Sequence, residues 1–251
     1  MVKVMKMKKI LFALCLFCSP LAAADWDIYV GPHFNYTNLK FNNPNELKGY
    51  SAGVTAGLGF CCGYVFSNVE FEGTWDAGPI TGTPCQRSCL QEYFVVGRLG
   101  ANFSFCCDQL CFQPYAGFGW NRFQNEQDPK SAALCFEYNK LFVPVGFYLD
   151  WTFCNCNTWG VKFEYRPDVN SCLRLLSSDL DTSCKYAFRV ESPIQFADDC
   201  CCCGFWLGVV PFFDWNKFGK VREKNSDGVP LDIPSLRRWS LGLRLLFGYE
   251  F

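Results

Sequence analysis

The sequence predicts an all-β chain that folds as a transmembrane up-and-down antiparallel β-barrel of about ten strands, although counts of eight or twelve also fit the pattern. Three observations predict this fold: an export signal at the amino terminus, large apolar residues at every second position of successive segments, and connections that alternate between short and long. Together they favour strands that turn an apolar face outward toward lipid.

The first 24 residues have the features of a secretory signal peptide. Four lysines precede an apolar run from Ile10 to Phe17, and small residues follow it up to Ala24. The apolar run is too short to span a bilayer as a helix, and its small-residue ending places cleavage before Asp25. We therefore expect residues 1–24 to be a signal peptide and residues 25–251 to form the barrel.

Charge and composition exclude several classes of protein. Loss of residues 1–24 removes four lysines and no acid, which lowers the basic residues from 23 to 19 against 24 acidic residues. A chain with this negative balance is a poor partner for nucleic acid. Aromatic residues make up 18% of the sequence, which aromatic girdles at a membrane surface would explain. The longest uncharged apolar stretch after the signal, Cys200 to Phe213, is too short for a spanning helix, so strands must carry any crossing.

Ten segments alternate as barrel strands should. They begin near Trp26, Ala52, Val65, Tyr93, Ala116, Leu141, Trp159, Tyr186, Phe205 and Trp239. The last is the clearest, and only Leu246 breaks its pattern; the ninth is the weakest, since Trp206, Val210 and Phe212 make its second face apolar as well. A soluble β-sandwich or barrel with one wet face also alternates, and it would turn the aromatic rows toward a core.

The predicted connections also alternate in length. Short ones fall near residues 61–63, 106–111, 152–157 and 197–203, and long ones near 38–49, 76–91, 122–137, 168–184 and 216–235. Short turns on one side and long loops on the other are typical of bacterial outer-membrane barrels. We therefore expect a Gram-negative type of outer membrane, with the short turns and both termini in the periplasm.

Sixteen of the 18 cysteines follow the predicted signal peptide, and they sort by side of the membrane. Eleven lie in the short turns and are candidates for periplasmic disulfides: Cys61, Cys62, Cys106, Cys107, Cys111, Cys154, Cys156, Cys200, Cys201, Cys202 and Cys203. Five lie in the long loops and are candidates for external disulfides: Cys85, Cys89, Cys135, Cys172 and Cys184.

Geometry limits how these cysteines can pair. A disulfide joins Cα atoms about 4.4 to 6.8 Å apart, whereas the apolar band of a membrane barrel is about 25 Å tall, so no bond can cross it. Both counts are odd, and complete pairing within the chain leaves one cysteine over on each side. Disulfide cross-links to neighbouring molecules are the resulting hypothesis. The alternatives are that each cysteine staples its own turn, or that thiolates bind a soft metal.

Charged residues collect on the inward parity of the strands. Ten of them are expected to form a lattice of paired charges in the lumen: Glu70, Glu72, Arg98, Lys162, Glu164, Arg166, Arg189, Glu191, Arg244 and Glu250. Because side chains usually fill barrels of this size, a wide pore is not expected, and a narrow channel stays an alternative.

The sequence gives no pattern for a catalytic, cofactor or metal site. His33 is the only histidine and lies on the inward parity of the first strand. Outer-membrane proteases of the omptin kind use acidic pairs with a histidine near the external rim, and no such Asp pattern is found here. Gly57 and Gly59 form a G-x-G without the further spacing of a nucleotide-binding loop. We therefore expect no enzyme and no cofactor.

A family resemblance rests on the signal peptide, the ending Leu245-x-Phe247-x-Tyr249-x-Phe251 and the cysteine-bearing turns such as Cys61-Cys62. Together these resemble cysteine-rich outer-membrane proteins of chlamydiae and their environmental relatives, over the whole of residues 25–251. The resemblance implies membership of a disulfide-linked outer envelope. It also implies porin activity for the larger major outer-membrane protein of that group, but this chain looks shorter than that protein. Phe247, Tyr249 and Phe251 are also similar to the signal that barrel-assembly machinery reads.

Three hypotheses about function follow. The first is a structural barrel protein, disulfide-stabilised and cross-linked into the envelope through the periplasmic cysteines. The second is a narrow porin or channel for small solutes, and the third is an adhesin that acts through its external loops. The partners that the first implies are outer-membrane lipid, the barrel-assembly machinery and other cysteine-rich envelope proteins, with no nucleic acid.

Overall fold

The computed structural model describes residues 25–40, 46–76, 80–82, 87–106, 109–126, 136–153, 157–175, 178–182, 185–197, 204–219, 221–224, 230–233 and 235–251. The predicted signal peptide lies outside the described residues. Within the described ranges, no helix has the length and apolar character needed to cross a membrane.

The described residues form β-strands, in the following order. They are β1 (Asp25–Lys40), β2 (Glu46–Cys62), β3 (Val65–Asp76), β4 (Ile80–Gly82), β5 (Arg87–Ala101), β6 (Phe103–Phe105), β7 (Leu110–Glu126), β8 (Phe136–Phe142), β9 (Val145–Phe153), β10 (Asn157–Leu175), β11 (Ser178–Asp181), β12 (Tyr186–Glu191), β13 (Ile194–Ala197), β14 (Gly204–Lys217), β15 (Val221–Lys224), β16 (Pro230–Ile233) and β17 (Arg237–Glu250).

Ten barrel strands close into a ring. Three of them consist of two consecutive segments each, namely β5 with β6, β8 with β9, and β12 with β13. Each barrel strand pairs antiparallel with the one before it and the one after it. The ring closes where β1 pairs with β17, from Asp27 opposite Glu250 to Lys40 opposite Arg237. The predicted fold, a closed antiparallel barrel of ten strands, is confirmed.

Proline explains two of the divided barrel strands. Pro144 lies between β8 and β9, and Pro193 lies between β12 and β13. Proline has no N–H to donate to a neighbouring strand, but its carbonyl can still accept. Gly117 N–H donates to the Pro144 carbonyl at 3.0 Å, and Gly160 N–H donates to the Pro193 carbonyl at 2.8 Å. The pairing therefore continues through both prolines.

The two ends of the barrel differ. At one, here called the turn end, the links between barrel strands are short, and Trp26 and Phe251 exchange backbone hydrogen bonds of 3.0 Å. At the other, the loop end, the links are long and contain β4, β11 and the β15–β16 hairpin. Some barrel strands reach further toward the loop end than the pattern predicted. The strand β10 passes a bulge between Asp168 and Asn170 and continues to Leu175, inside the predicted loop 168–184.

The barrel is apolar outside and charged inside. Outward-facing Leu99 is 63% exposed and Val30 is 56% exposed, whereas inward-facing Arg244 is 2% exposed. A soluble protein arranges these residue types the other way round. The alternative of a soluble sandwich with aromatic rows in its core is therefore wrong, and the exterior is suited to lipid.

Tyrosine and tryptophan side chains form a girdle around the outside, near the loop end. In the order of the barrel strands, its members are Tyr93, Trp75, Tyr50, Tyr36, Trp239, Trp215, Tyr186 and Tyr165. Neighbouring rings are in contact: Tyr36 lies 5.1 Å from Tyr50 and 5.5 Å from Trp239, measured between ring centroids. Trp75 also donates its indole N–H to the Tyr93 hydroxyl at 3.1 Å. Rings with one polar atom prefer the boundary between lipid and water, so the girdle indicates a membrane surface.

Inside the barrel, glycines make room for aromatic rings on neighbouring strands. In five directly paired positions, a Cβ atom on the glycine would collide with the ring opposite. The pairs are Gly57 with Tyr29, Gly100 with Phe66, Gly119 with Phe142, Gly242 with Phe212 and Gly248 with Trp206. Each ring therefore occupies the space beside the glycine opposite it and helps to fill the lumen.

Candidate functional site: the barrel interior

A lattice of buried charges crosses the middle of the lumen. Nine of the ten charged residues predicted for the lumen are at least 94% buried there: Glu70, Glu72, Arg98, Lys162, Glu164, Arg166, Arg189, Glu191 and Arg244. Period-two alternation brings them together, because they lie at inward positions of β3, β5, β10, β12 and β17.

Each carboxylate of the lattice is shared between cations. The Glu164 carboxylate accepts from Arg98 Nε at 2.5 Å and from Arg166 Nε at 2.6 Å. Arg244 reaches Glu72 at 2.9 Å and Glu191 at 2.6 Å. Shared pairs of this kind neutralise charges that would be costly to bury alone.

Further pairs tie the lattice to the wall. Arg189 Nη2 lies 2.8 Å from Glu72, and Lys162 Nζ lies 3.3 Å from Glu191. The Tyr29 hydroxyl donates to Glu70 at 2.9 Å, and the Tyr115 hydroxyl donates to Glu164 at the same distance. The lattice is therefore held to inward residues of β1 and β7 as well.

Two members differ from the sequence-based set. Glu250 lies at the exposed turn end of β17 and makes no ion pair with the lattice among the described residues. Asp214 of β14 is buried and binds Arg166 Nη1 at 3.0 Å. The alternation of β14 could have identified Asp214, because it lies on the same inward face as Val210 and Phe212. Those two apolar residues obscured the pattern of this strand in the sequence.

His33 lies beside the lattice. Its Nδ1 atom is 3.9 Å from Glu72, and its ring meets Phe212 edge to face at 4.9 Å between centroids. The side chain is buried in the interior and does not lie at the loop-end rim, where the omptin pattern would require it.

A second polar layer lies between the lattice and the loop end, and the sequence analysis did not predict it. Lys140 pairs with Asp168 at 3.6 Å and donates to the Asn216 amide oxygen at 2.9 Å. Arg238 pairs with Glu92 at 2.9 Å. Asp214 links the two layers, since it binds Arg166 and lies 3.9 Å from Arg238. The Arg166 guanidinium also lies 4.4 Å from the centroid of the Phe94 ring. Such stacking adds a favourable cation–π contact.

An apolar cluster fills the lumen at the loop end. Its buried members, here called the loop-end cluster, are Leu39, Leu90, Phe123, Phe136, Tyr138, Leu173, Leu180, Phe218 and Leu236. Tyr138 and Phe218 meet edge to face at 4.5 Å between ring centroids. Leu180 belongs to β11, so a loop segment takes part in the closure as well as the barrel strands.

The turn end contains a cavity of about 430 Å³. Its floor is the charge lattice, with Lys162 and Arg244 among the lining residues. Four further carboxylates line its walls, those of Asp25, Asp27, Asp150 and Glu250. We call this space the turn-end cavity.

The described cysteines lie near the two ends of the barrel. Cys61, Cys62, Cys106 and Cys111 lie at the turn end, and Cys61 and Cys111 line the turn-end cavity, where both contact the Asn102 side chain. Cys89 and Cys172 lie near the loop end, within β5 and β10 and not in loops. No disulfide joins two of these six residues. The remaining candidates, Cys85, Cys107, Cys135, Cys154, Cys156, Cys184, Cys200, Cys201, Cys202 and Cys203, lie outside the described residues.

The aromatic ending lies on the outer face of β17 at the turn end. Phe247 and Phe251 are exposed there, and Tyr249 contacts Phe205 of the neighbouring strand at 4.7 Å between ring centroids. In the described part of the chain, no three His, Cys, Asp or Glu side chains are grouped so as to hold a metal ion.

Comparison with known proteins gives similarity of structure only. No family model and no curated protein matches the chain. Among solved structures, Ail of Yersinia pestis is 11% identical with a TM-score of 0.40, and the match covers 91% of this chain and 99% of Ail. A major outer membrane protein from Thermus thermophilus is 13% identical with a TM-score of 0.43, covering 91% and 99%. Neisserial surface protein A is 11% identical with a TM-score of 0.39, covering 87% and 95%. At these identities and TM-scores, no property of those proteins transfers to this chain.

Proposed function

We propose that this chain is a structural outer-membrane protein, a barrel that fills its own lumen and carries cysteines for disulfide bonds with other envelope proteins. One observation carries the proposal. The charge lattice, the second polar layer and the loop-end cluster occupy successive levels of the lumen. Side chains that pair with one another across these levels leave a solute no open path along the lumen, which favours a scaffold over a channel.

The exterior supports the membrane part of the proposal. Apolar residues cover the outer surface of the barrel, and the Tyr and Trp girdle marks one boundary of that surface. An aqueous setting would leave this surface unpaired with any apolar partner. The Gram-negative type of outer membrane, with the turn end in the periplasm, is the location that this architecture favours.

The cysteine pattern supports the envelope part. Alternation along β2 turns Cys61 into the turn-end cavity and Cys62 to the outer face, so the two adjacent thiols serve different surfaces. Exported proteins meet oxidising conditions, in which such thiols can form disulfides. The resemblance to cysteine-rich chlamydial envelope proteins agrees with the same role.

Conductance in planar bilayers tests the filled lumen. We expect the purified, refolded protein to insert without giving stepwise ion currents. A chain that carries Arg244→Ala and Glu72→Ala together removes two adjoining side chains of the lattice, and it supplies a positive control if it inserts and conducts. Regular current steps from the unmodified protein would overturn the scaffold proposal in favour of the narrow channel.

Electrophoresis of isolated envelopes, with and without reductant, tests the cross-links. We expect high-molecular-mass bands that collapse to the monomer on reduction. Alkylation of thiols before lysis controls for bonds formed during preparation. A monomer band that dominates without reductant would overturn the cross-linking part and leave the barrel itself untouched.

A further inference from the structure

The turn-end cavity contains carboxylates that face one another without a compensating charge. Asp27 and Glu250 are directly opposite in the register of β1 and β17, and both line the cavity. Like charges at directly paired positions of neighbouring strands destabilise a sheet. Asp25 lies two residues away on the same strand and lines the same wall. Among the described residues, no lysine or arginine forms an ion pair with any of the three.

Asp150 faces this wall from the opposite side of the barrel. Its strand is the fifth from β1 in either direction around the ring, so the two walls are diametrically opposed. The Asp150 side chain is part-buried, lines the cavity, and lies over Gly160. Within the described part of the chain its carboxylate has no hydrogen-bond or ion-pair partner. Even a part-buried carboxylate without a partner loses part of its hydration, and a bound cation would offset that cost.

The space between the two walls suits an organic molecule. Trp206, Tyr148 and Phe66 provide aromatic surface, and the Gln113 and Gln195 amides provide hydrogen-bonding groups. The volume of about 430 Å³ lies in the range of small-molecule sites. The Lys162 and Arg244 charges on the floor are already paired with Glu191, so they do not neutralise the walls.

The turns next to the cavity also carry acidic residues. The links at residues 106–109, 154–156 and 198–203 contain Asp108, Asp198 and Asp199 but no lysine or arginine. The turn end as a whole therefore attracts cations, and this conclusion rests only on the residues that the links contain.

We propose that the turn-end cavity binds a linear aliphatic polyamine. One ammonium group pairs with Asp27 and Glu250, a second pairs with Asp150, and the methylene chain between them lies against Trp206 and Tyr148. A metal ion would need carboxylates that converge on one point, whereas these face each other across the lumen. The proposal does not depend on the structural role proposed above.

Titration of the refolded protein with spermidine tests this site. We expect saturable binding of one spermidine per chain by isothermal titration calorimetry at low ionic strength. Propylamine, which has a single ammonium group, should bind at least about tenfold more weakly, a difference of about 1.4 kcal/mol. Magnesium chloride at matched ionic strength should not reproduce the binding.

Two variants on opposite walls locate the site. Asp27→Asn and Asp150→Asn should each weaken spermidine binding about tenfold, whereas Glu137→Gln, at a carboxylate near the loop end, should leave it unchanged. Heat-modifiable migration in electrophoresis shows whether a variant is folded, and Glu250→Gln replaces Asp27→Asn if that variant fails to fold. Equal binding of spermidine and propylamine, full competition by magnesium, or unchanged binding in Asp150→Asn would each overturn the proposal.

Discussion

Glu164 shows how one residue can hold several strands of this barrel. Its side chain, on β10, is completely buried and accepts hydrogen bonds from Arg98 on β5, Tyr115 on β7 and Arg166 on its own strand. Removing one partner from a buried ion pair is far more damaging than removing one from an exposed pair, because the remaining charges stay buried.

We therefore expect Glu164→Gln to destabilise the folded barrel by about 3 kcal/mol or more. Urea unfolding in lipid vesicles, followed by tryptophan fluorescence, measures the change. The matched control is Glu137→Gln, since Glu137 pairs with Arg122 at 3.0 Å near the loop end, where the Arg122 side chain is 39% exposed. That change should cost no more than about 1 kcal/mol. Equal losses for the two variants would mean that the lattice is not the element that resists unfolding.

For single residues, the alternation in the sequence predicts which side chains face the lumen but not which of them pair with one another. It identifies which charges point inward, as for Arg98 and Glu164, because period two needs no knowledge of the other strands. It cannot say that Asp214 takes the place expected for Glu250. That depends on the stagger of β14 against β10, which is set by barrel closure and not by either strand alone.

At the scale of strands, pairing between glycine and an aromatic residue recurs around the interior. Gly57 is directly opposite Tyr29, whose ring fills the space that a Cβ on Gly57 would occupy. Tyr29 is also fixed by its hydrogen bond to Glu70, so its ring cannot move aside freely. Extra volume in a closely packed interior typically costs about 1–3 kcal/mol.

Gly57→Ala should therefore destabilise the barrel by about 1–3 kcal/mol. Gly97→Ala is the control, because Gly97 also lies within a paired barrel strand but a Cβ there meets no atom within 4 Å. Unfolding midpoints in urea compare the two. A loss of stability in Gly97→Ala as large as that in Gly57→Ala would point to chain flexibility and not to the Tyr29 ring as the cause.

Strand positions were predictable, but their ends and interruptions less so. The alternation of Trp239, Leu241 and Leu243 marks β17 without ambiguity, and the structure extends that strand over Arg237–Glu250. The bulge after Asp168 shifts the period by one residue, so the alternation is lost just where β10 continues toward Leu175. The short turns were easier to locate, because a short link leaves few positions at which the flanking strands could end.

At the scale of the whole molecule, the barrel has a direction. The turn end has short links and the carboxylates of the turn-end cavity, and the loop end has long links and the loop-end cluster. Short turns in the periplasm and long loops outside are the general rule for such barrels, and this orientation stays a prediction for this chain.

An epitope inserted between β15 and β16, at residues 225–229, should be reached by antibody on intact cells, because that link belongs to the loop end. An epitope placed immediately before Asp25, at the turn end, should be reached only after the outer membrane is permeabilised. Flow cytometry of both populations measures the difference. Labelling of the second epitope on intact cells would reverse the predicted orientation.

The levels at which the second polar layer and the loop-end cluster lie could not have been predicted from the sequence. The loop-end cluster combines Leu39, Phe123 and Leu173 from barrel strands with Leu180 from a loop segment. Only the closed ring brings these distant residues together, and the local sequence around each residue does not show at which height in the lumen they meet. The overall architecture was predictable for the opposite reason, since it depends on a period that each strand repeats by itself.

The pairing of β1 with β17 has a consequence for biogenesis. The first strand of the barrel finds its second neighbour only after the last strand has been made, so a chain that lacks its last strand presents two open strand edges. Quality control could thus distinguish finished from unfinished molecules by whether a strand edge is available. Proteolysis of truncated chains should then begin from that exposed seam.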